Sequence, residues 1–161
     1  MKNTEGIIQL AIRAFEGQCN RLTKWLSAVS DEVLLEEVAP GKNTGLYLLG
    51  HLVAINDGML PLFDLGKREY PELDDVFVMV PDKSVSHHYT PRQVKDLWLR
   101  HTDLLISKLS ELSSAEWLHR HSAVSEEDFI QQPYRNKLNV LLNRTNHLAY
   151  HIGQLALLKR G

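Results

Sequence analysis

The 161-residue sequence has a single cysteine, Cys19, which excludes an internal disulfide; a lone thiol points to a reducing compartment. The cytoplasm is the expected location. A basic excess is also missing: 18 Lys and Arg against 20 Asp and Glu give a net charge of −2, whereas nucleic-acid binders carry a surplus that neutralises phosphates. No nucleic-acid partner is expected. Nor is there a long hydrophobic run. Glu5, Arg13 and Glu16 interrupt the start of the chain and leave no apolar core for a secretory signal. The most apolar stretch, Gly45 to Phe63, contains His51, Asn56, Asp57, Gly58 and Pro61, a costly set in hydrocarbon, and reads as a buried helix. No membrane partner is expected. Internal repeats and low-complexity tracts are absent. What remains is a globular composition, 43% hydrophobic and 24% charged, in a length that suits one domain over residues 1–161.

Apolar spacing predicts four long helices. From Glu5 to Ala28, Ile8, Ala11, Ile12, Phe15, Leu22 and Leu26 share one face, with Asn3 or Thr4 as N-cap. A short connector follows, with Ser30 as N-cap and Asp31 and Glu32 complementing its dipole, before Pro40-Gly41 breaks it. The second long helix starts after Asn43 or Thr44, runs to about Leu65 and stops at Gly66. It is apolar on nearly every side, which implies several packed neighbours. Gly66 to Tyr89 carries Pro71, Pro81 and the acidic group Glu69, Glu72, Asp74 and Asp75, and reads as an irregular crossover rather than a helix. Its run Val76 to Val80 is expected to pack down on the bundle, since a single strand has no partner. Thr90-Pro91 opens the third helix, whose stripe is Val94, Leu97, Trp98, His101, Leu104, Leu105 and Leu109. Ser114 to Trp117 forms a capped turn, followed by a polar stretch to Pro133. The last helix runs from Arg135 to Lys159 on Leu138, Leu141, Leu142, Leu148, Ile152, Leu155 and Leu158, with Lys159-Arg160 favourable at its C-terminus. The fold is therefore all-α, a four-helix bundle whose connections are long enough for crossovers.

Chemistry concentrates in the eight histidines. His147 and His151 are one helical turn apart, offset by about 40°, so both rings can face one ion. His51 lies in the apolar second helix, where an imidazole needs a partner, and a third ring from another helix would complete a facial set of nitrogen ligands. His87-His88 falls on a loop, and His119 and His121 read as solvated surface. His101 shares its stripe with Leu97 and Leu105, so it points inward either as a core residue or as a fourth ligand or its support. Two sharper metal motifs are absent. Leu148 stands where the glutamate of His-Glu-x-x-His would be, which excludes a zincin peptidase, and the one Glu-x-x-His string, Glu116 to His119, lies outside the long helices.

The string Asn146-His147-Leu148-Ala149-Tyr150-His151-Ile152-Gly153-Gln154-Leu155, with Leu48-Leu49-Gly50-His51-Leu52-Val53 upstream, resembles the DinB-like family. The resemblance covers nearly the whole chain and implies a four-helix bundle in which His51, His147 and His151 hold a divalent ion such as Ni, Zn, Mn or Fe. It further implies a metal-dependent enzyme, either a transferase using low-molecular-weight thiols or a hydrolase. The alternative is a non-catalytic module that binds a metal or small ligand. Metal binding is expected to weaken below about pH 6, where ordinary imidazoles gain protons.

Around these histidines, Tyr47 is four before His51, Asn143 four before His147 and Gln154 three after His151. Each is placed either to orient a ligand or substrate or to satisfy hydrogen bonds at the core edge. Tyr134 to Gly161 carries Arg135, Lys137, Arg144, Lys159 and Arg160 and no acid, which suits an anionic small-molecule substrate unless acids elsewhere balance it. Arg144, three before His147, is the foremost of these. The all-round apolarity of the second helix, together with Trp25, Trp98, Trp117 and the family's tendency to dimerise, predicts a homodimer.

Overall fold

Four long helices frame the computed structural model, which describes residues 2–158. Helix α1 (Lys2–Leu26) is already under way at Lys2, so Asn3 and Thr4 lie in its first turn and cap nothing. Its face of Ile8, Ala11, Phe15, Cys19, Leu22 and Leu26 is buried as the spacing requires. The connector α2 (Asp31–Leu35) follows Ser30.

Helix α3 (Gly45–Asp57) begins at Thr44, whose hydroxyl accepts from the Tyr47 N–H at 3.2 Å. The expected run to Leu65 is broken: α3 ends at Gly58 and a separate turn, α4 (Met59–Leu62), follows. Pro61 explains the break, because it has no N–H to give the Asp57 carbonyl. Gly66, at φ 139°, adopts a backbone that disfavours other residues.

The crossover is more ordered than its composition suggests. Pro71–Leu73 forms a 3-10 turn leading into α5 (Asp74–Phe77). Pro71 presets the first turn, Asp74 and Asp75 complement the dipole, and Leu73 and Phe77, one turn apart, are both completely buried. The Val76 to Val80 segment does pack against the core, through Val76, Phe77 and Val78, while Met79 is exposed.

Helix α6 (Pro91–Ser110) starts with a capping box between Thr90 and Gln93, and α7 (Ser114–Leu118) with one between Ser113 and Glu116. The polar stretch before Pro133 contains α8 (Glu126–Gln131), which buries nothing and is held by Ser125 accepting from the Asp128 N–H. Helix α9 (Lys137–Leu155) is capped by Asn136 and is shorter at both ends than its periodicity implies. Leu158 is buried beyond its end, Leu142 is exposed, and Lys159-Arg160 lies outside the described residues.

Helix α1 packs on α9 and α6, and α3 packs on the same two, which closes a four-helix ring. Consecutive long helices α1 and α3 therefore stand across the bundle from each other, as do α6 and α9, and the long connections are the crossovers this arrangement needs. Phe15, Leu22, Leu49, Leu52, Trp98, Leu105, Leu141 and Leu148 fill the centre, each contributing about 1.5–3 kcal/mol by burial. Trp25, Trp98 and Trp117 are all buried within the chain, so they add nothing to its exposed apolar surface. The apolar flanks of α3 are covered by α2, α5, α6 and α9. Among the described residues there is no strand, only isolated bridges between Glu37 and Thr44 and between Arg120 and Asn136. No described helix is long and apolar enough to cross a membrane. Cys19 is buried on α1, and burial pushes its thiol pKa up to about 12.

Candidate metal centre

Helices α3 and α9 bring His51, His147 and His151 together, with one ligand atom from each lying within 4.8 Å of the others. The Nε2 atoms of His51 and His151 stand 3.2 and 3.1 Å from His147 Nε2. Outer contacts fix two of the rings. His51 Nδ1–H donates to the Phe77 carbonyl at 2.8 Å, and His151 Nδ1–H donates to Gln154 Oε1 at 2.7 Å. A neutral ring that donates through Nδ1 has a bare lone pair on Nε2, so two lone pairs converge on the Nε2 of His147. One proton there can answer only one of them well, and His147 Nδ1 is itself buried without a hydrogen-bond partner. The donor set thus fits a divalent cation, which three convergent lone pairs satisfy and which such carbonyl and amide contacts orient.

The electrostatics agree. Burial lowers the pKa of all three rings; in His147 the neighbouring His151, His51 and Arg144 add to it and bring the value to about 4. The hydrogen bonds to Phe77 and Gln154 oppose the shift in His51 and His151. The rings are therefore neutral, ligand-ready imidazoles to lower pH than ordinary histidines. The threshold near pH 6 expected from the sequence moves down accordingly.

Supporting residues are partly those the spacing singles out. The Tyr47 ring stacks on His51, with centroids 6.4 Å apart and planes 8° apart, and its hydroxyl donates to the Val80 carbonyl at 2.7 Å. Gln154 touches His151 directly and reaches the Tyr150 hydroxyl at 3.3 Å. Arg144 is half-buried near the cluster, since its charge bears on both His51 and His147. Asn143 is not part of the site: it is exposed and donates to the Asn139 carbonyl of its own helix at 3.0 Å. His101 does point inward, at 2% exposure, but its Nδ1 lies 3.6 Å from Asp57 without a hydrogen bond, outside the three-histidine group, so it is not a fourth ligand. His87 and His88 lie outside the cluster on the exposed loop, His121 is half-buried, and the exposed His119 lines a separate cavity of about 710 Å³ with Asp64, Glu126 and Lys137.

Two contributors escape sequence reasoning. The Phe77 carbonyl has no residue-type signature, because any residue supplies one. Its position depends on a buried clamp: Asp57 accepts from the N–H groups of Glu69 and Tyr70 at 2.9 and 3.0 Å and from Arg68 Nε at 3.1 Å. Arg68 also grips Asp74, the first residue of α5, through Nη2 at 2.7 Å. Gly50, next to His51, is the second contributor, since a Cβ there would sit 2.6 Å from the Phe77 ring. The available hint was a glycine inside an otherwise apolar helix.

No curated protein matches the chain. A family model described as the DinB superfamily matches residues 14–155. That span takes in the three histidines, Gly50, Phe77 and the clamp between them, and the chain belongs to the DinB superfamily.

Proposed function

We propose that the protein is a metal-dependent transferase or hydrolase acting on a small substrate, with His51, His147 and His151 holding one divalent ion. The supporting observation is the convergence of three neutral imidazoles whose outer nitrogens are engaged elsewhere or buried. Three uncharged ligands leave an ion its full +2, which lowers the pKa of a coordinated thiol or water toward neutrality. The chain's own residues serve position rather than proton transfer. Tyr47 covers one face of His51 and commits its hydroxyl proton to Val80, while Asp74, whose charge reaches His51, is tied to Arg68. A nucleophile that arrives with the substrate suits this set better than a side-chain nucleophile, and thiols are the class to screen first.

The test is to load purified protein with Zn, Ni, Mn or Fe, count bound metal, and screen low-molecular-weight thiols against small electrophiles and esters. Turnover that requires metal and disappears in His147→Ala is the expected result. Stoichiometric metal with no acceleration of any thiol or hydrolytic reaction would instead make the bundle a binding module.

A further inference from the structure

We propose that Arg144 is the receptor for a carboxylate on the substrate, so that the site takes small carboxylate-bearing molecules. This deepens the reading above and rests on it for the position of the reacting group. The basic surplus of the last segment divides once the ion pairs are known. Arg135 faces Asp128 at 3.9 Å, and Lys137 bonds the Phe63 carbonyl at 2.8 Å and Asp64 at 3.2 Å. Arg144 has no carboxylate among the described residues, and its Nε is shut off from solvent with no hydrogen-bond partner. The acid that bears on His51 from the crossover, Asp74, is committed to Arg68, as is Asp57.

An unpaired, half-buried guanidinium is costly by itself. Here it stands one turn before His147 on α9. A divalent ion in the same place would add a second, larger positive charge beside it. An anion between the two relieves both. A planar guanidinium matches a carboxylate in charge and in its paired-donor geometry. Positive charge beside a cation site also has a consequence that a packing role lacks: it weakens the metal, and removing it should tighten metal binding.

The experiment compares Ni-loaded wild type with Arg144→Gln and Arg144→Lys, each checked by circular dichroism and metal count, using 3-mercaptopropionate and 3-mercapto-1-propanol as probes. Affinities come from thiolate-to-metal charge-transfer absorption. Wild type is expected to bind the carboxylate probe about ten-fold tighter than the alcohol, as a charge-assisted pair should. Arg144→Gln should bind both probes alike and hold nickel more tightly; Arg144→Lys should keep part of the preference. A preference that survives Arg144→Gln, or no preference in wild type, overturns the proposal. If no variant binds metal, the metal reading fails on its own, and the Arg144 site is then decided on metal-free protein. There, propionate should raise the melting temperature of wild type and not of Arg144→Gln, and equal shifts overturn it.

Discussion

Replacing Gly50 by alanine tests the link between helix packing and ligand orientation. In the middle of a helix this change ordinarily stabilises by about 0.5–1 kcal/mol, because alanine loses less backbone entropy. Here the sign should reverse. A Cβ at position 50 meets Phe77 ring atoms at 2.6, 2.6 and 2.7 Å, where ordinary contact starts at 3.4 Å, so the ring must retreat by a large fraction of an ångström. It has little room, since Phe77 is completely buried and packs against Tyr47 and Tyr89 with centroids 6.0 and 5.4 Å away. Overpacking of this kind costs about 1–3 kcal/mol. The same retreat strains the 2.8 Å bond from His51 Nδ1 to the Phe77 carbonyl, and loss of such an outer contact typically weakens metal binding about 10–100-fold. Urea denaturation of metal-free protein and zinc competition against a chelator measure the two effects. Gly17→Ala, in open space on α1, is the control and should gain stability. If Gly50→Ala matches Gly17→Ala in stability and wild type in zinc affinity, Phe77 does not couple packing to the site and the reasoning fails.

Other outcomes follow from the same geometry. Alanine at His51, His147 or His151 should each remove most bound metal by elemental analysis, while His87→Ala and His88→Ala should retain it; full occupancy in His151→Ala would reduce the α9 pair to packing. Gln154→Leu removes the acceptor of His151 Nδ1–H and should weaken zinc about ten-fold with the fold intact, which the same chelator competition reads. Because His147 has a folded pKa of about 4 against an unfolded value of about 6.5, the unfolded chain takes up that proton first. Metal-free stability from this ring is full above about pH 6.5 and lost as pH falls toward 4, so denaturation midpoints should drop across that window and less so in His147→Ala. Asp57→Ala strips Arg68 of one partner and leaves two backbone N–H groups unpaired, and should cost about 3–5 kcal/mol in urea denaturation.

The long helices were legible because burial writes a period into the chain: Ile8 to Leu26, Val94 to Leu109 and Leu141 to Leu155 each repeat at helical spacing. His147 and His151 were legible for the same reason, since helix geometry alone sets them on one face. His51 needed the family resemblance to join them, as nothing local ties α3 to α9. The short elements were harder. In the 3-10 turn and α5 that follows it, Pro71, Asp74 and Asp75 read from the sequence as part of an irregular crossover, yet the same residues start a turn once Leu73 and Phe77 have a core to enter. Asn143 misled because a four-residue spacing from His147 leaves open whether a polar side chain turns inward or back onto its own helix. Arg68 was invisible, because a clamp between Asp57 and Asp74 exists only after the chain has doubled back.

The burial of Cys19 makes the protein its own folding gauge. With Cys19 only 1% exposed and its thiol pKa pushed up to about 12, the folded chain offers alkylating reagents almost no thiolate, whereas the unfolded chain offers an ordinary cysteine. Each labelling event therefore counts a molecule that has opened around α1. Metal, carboxylate probes and every substitution named above can be ranked by how far they slow or speed that labelling, with no engineered reporter.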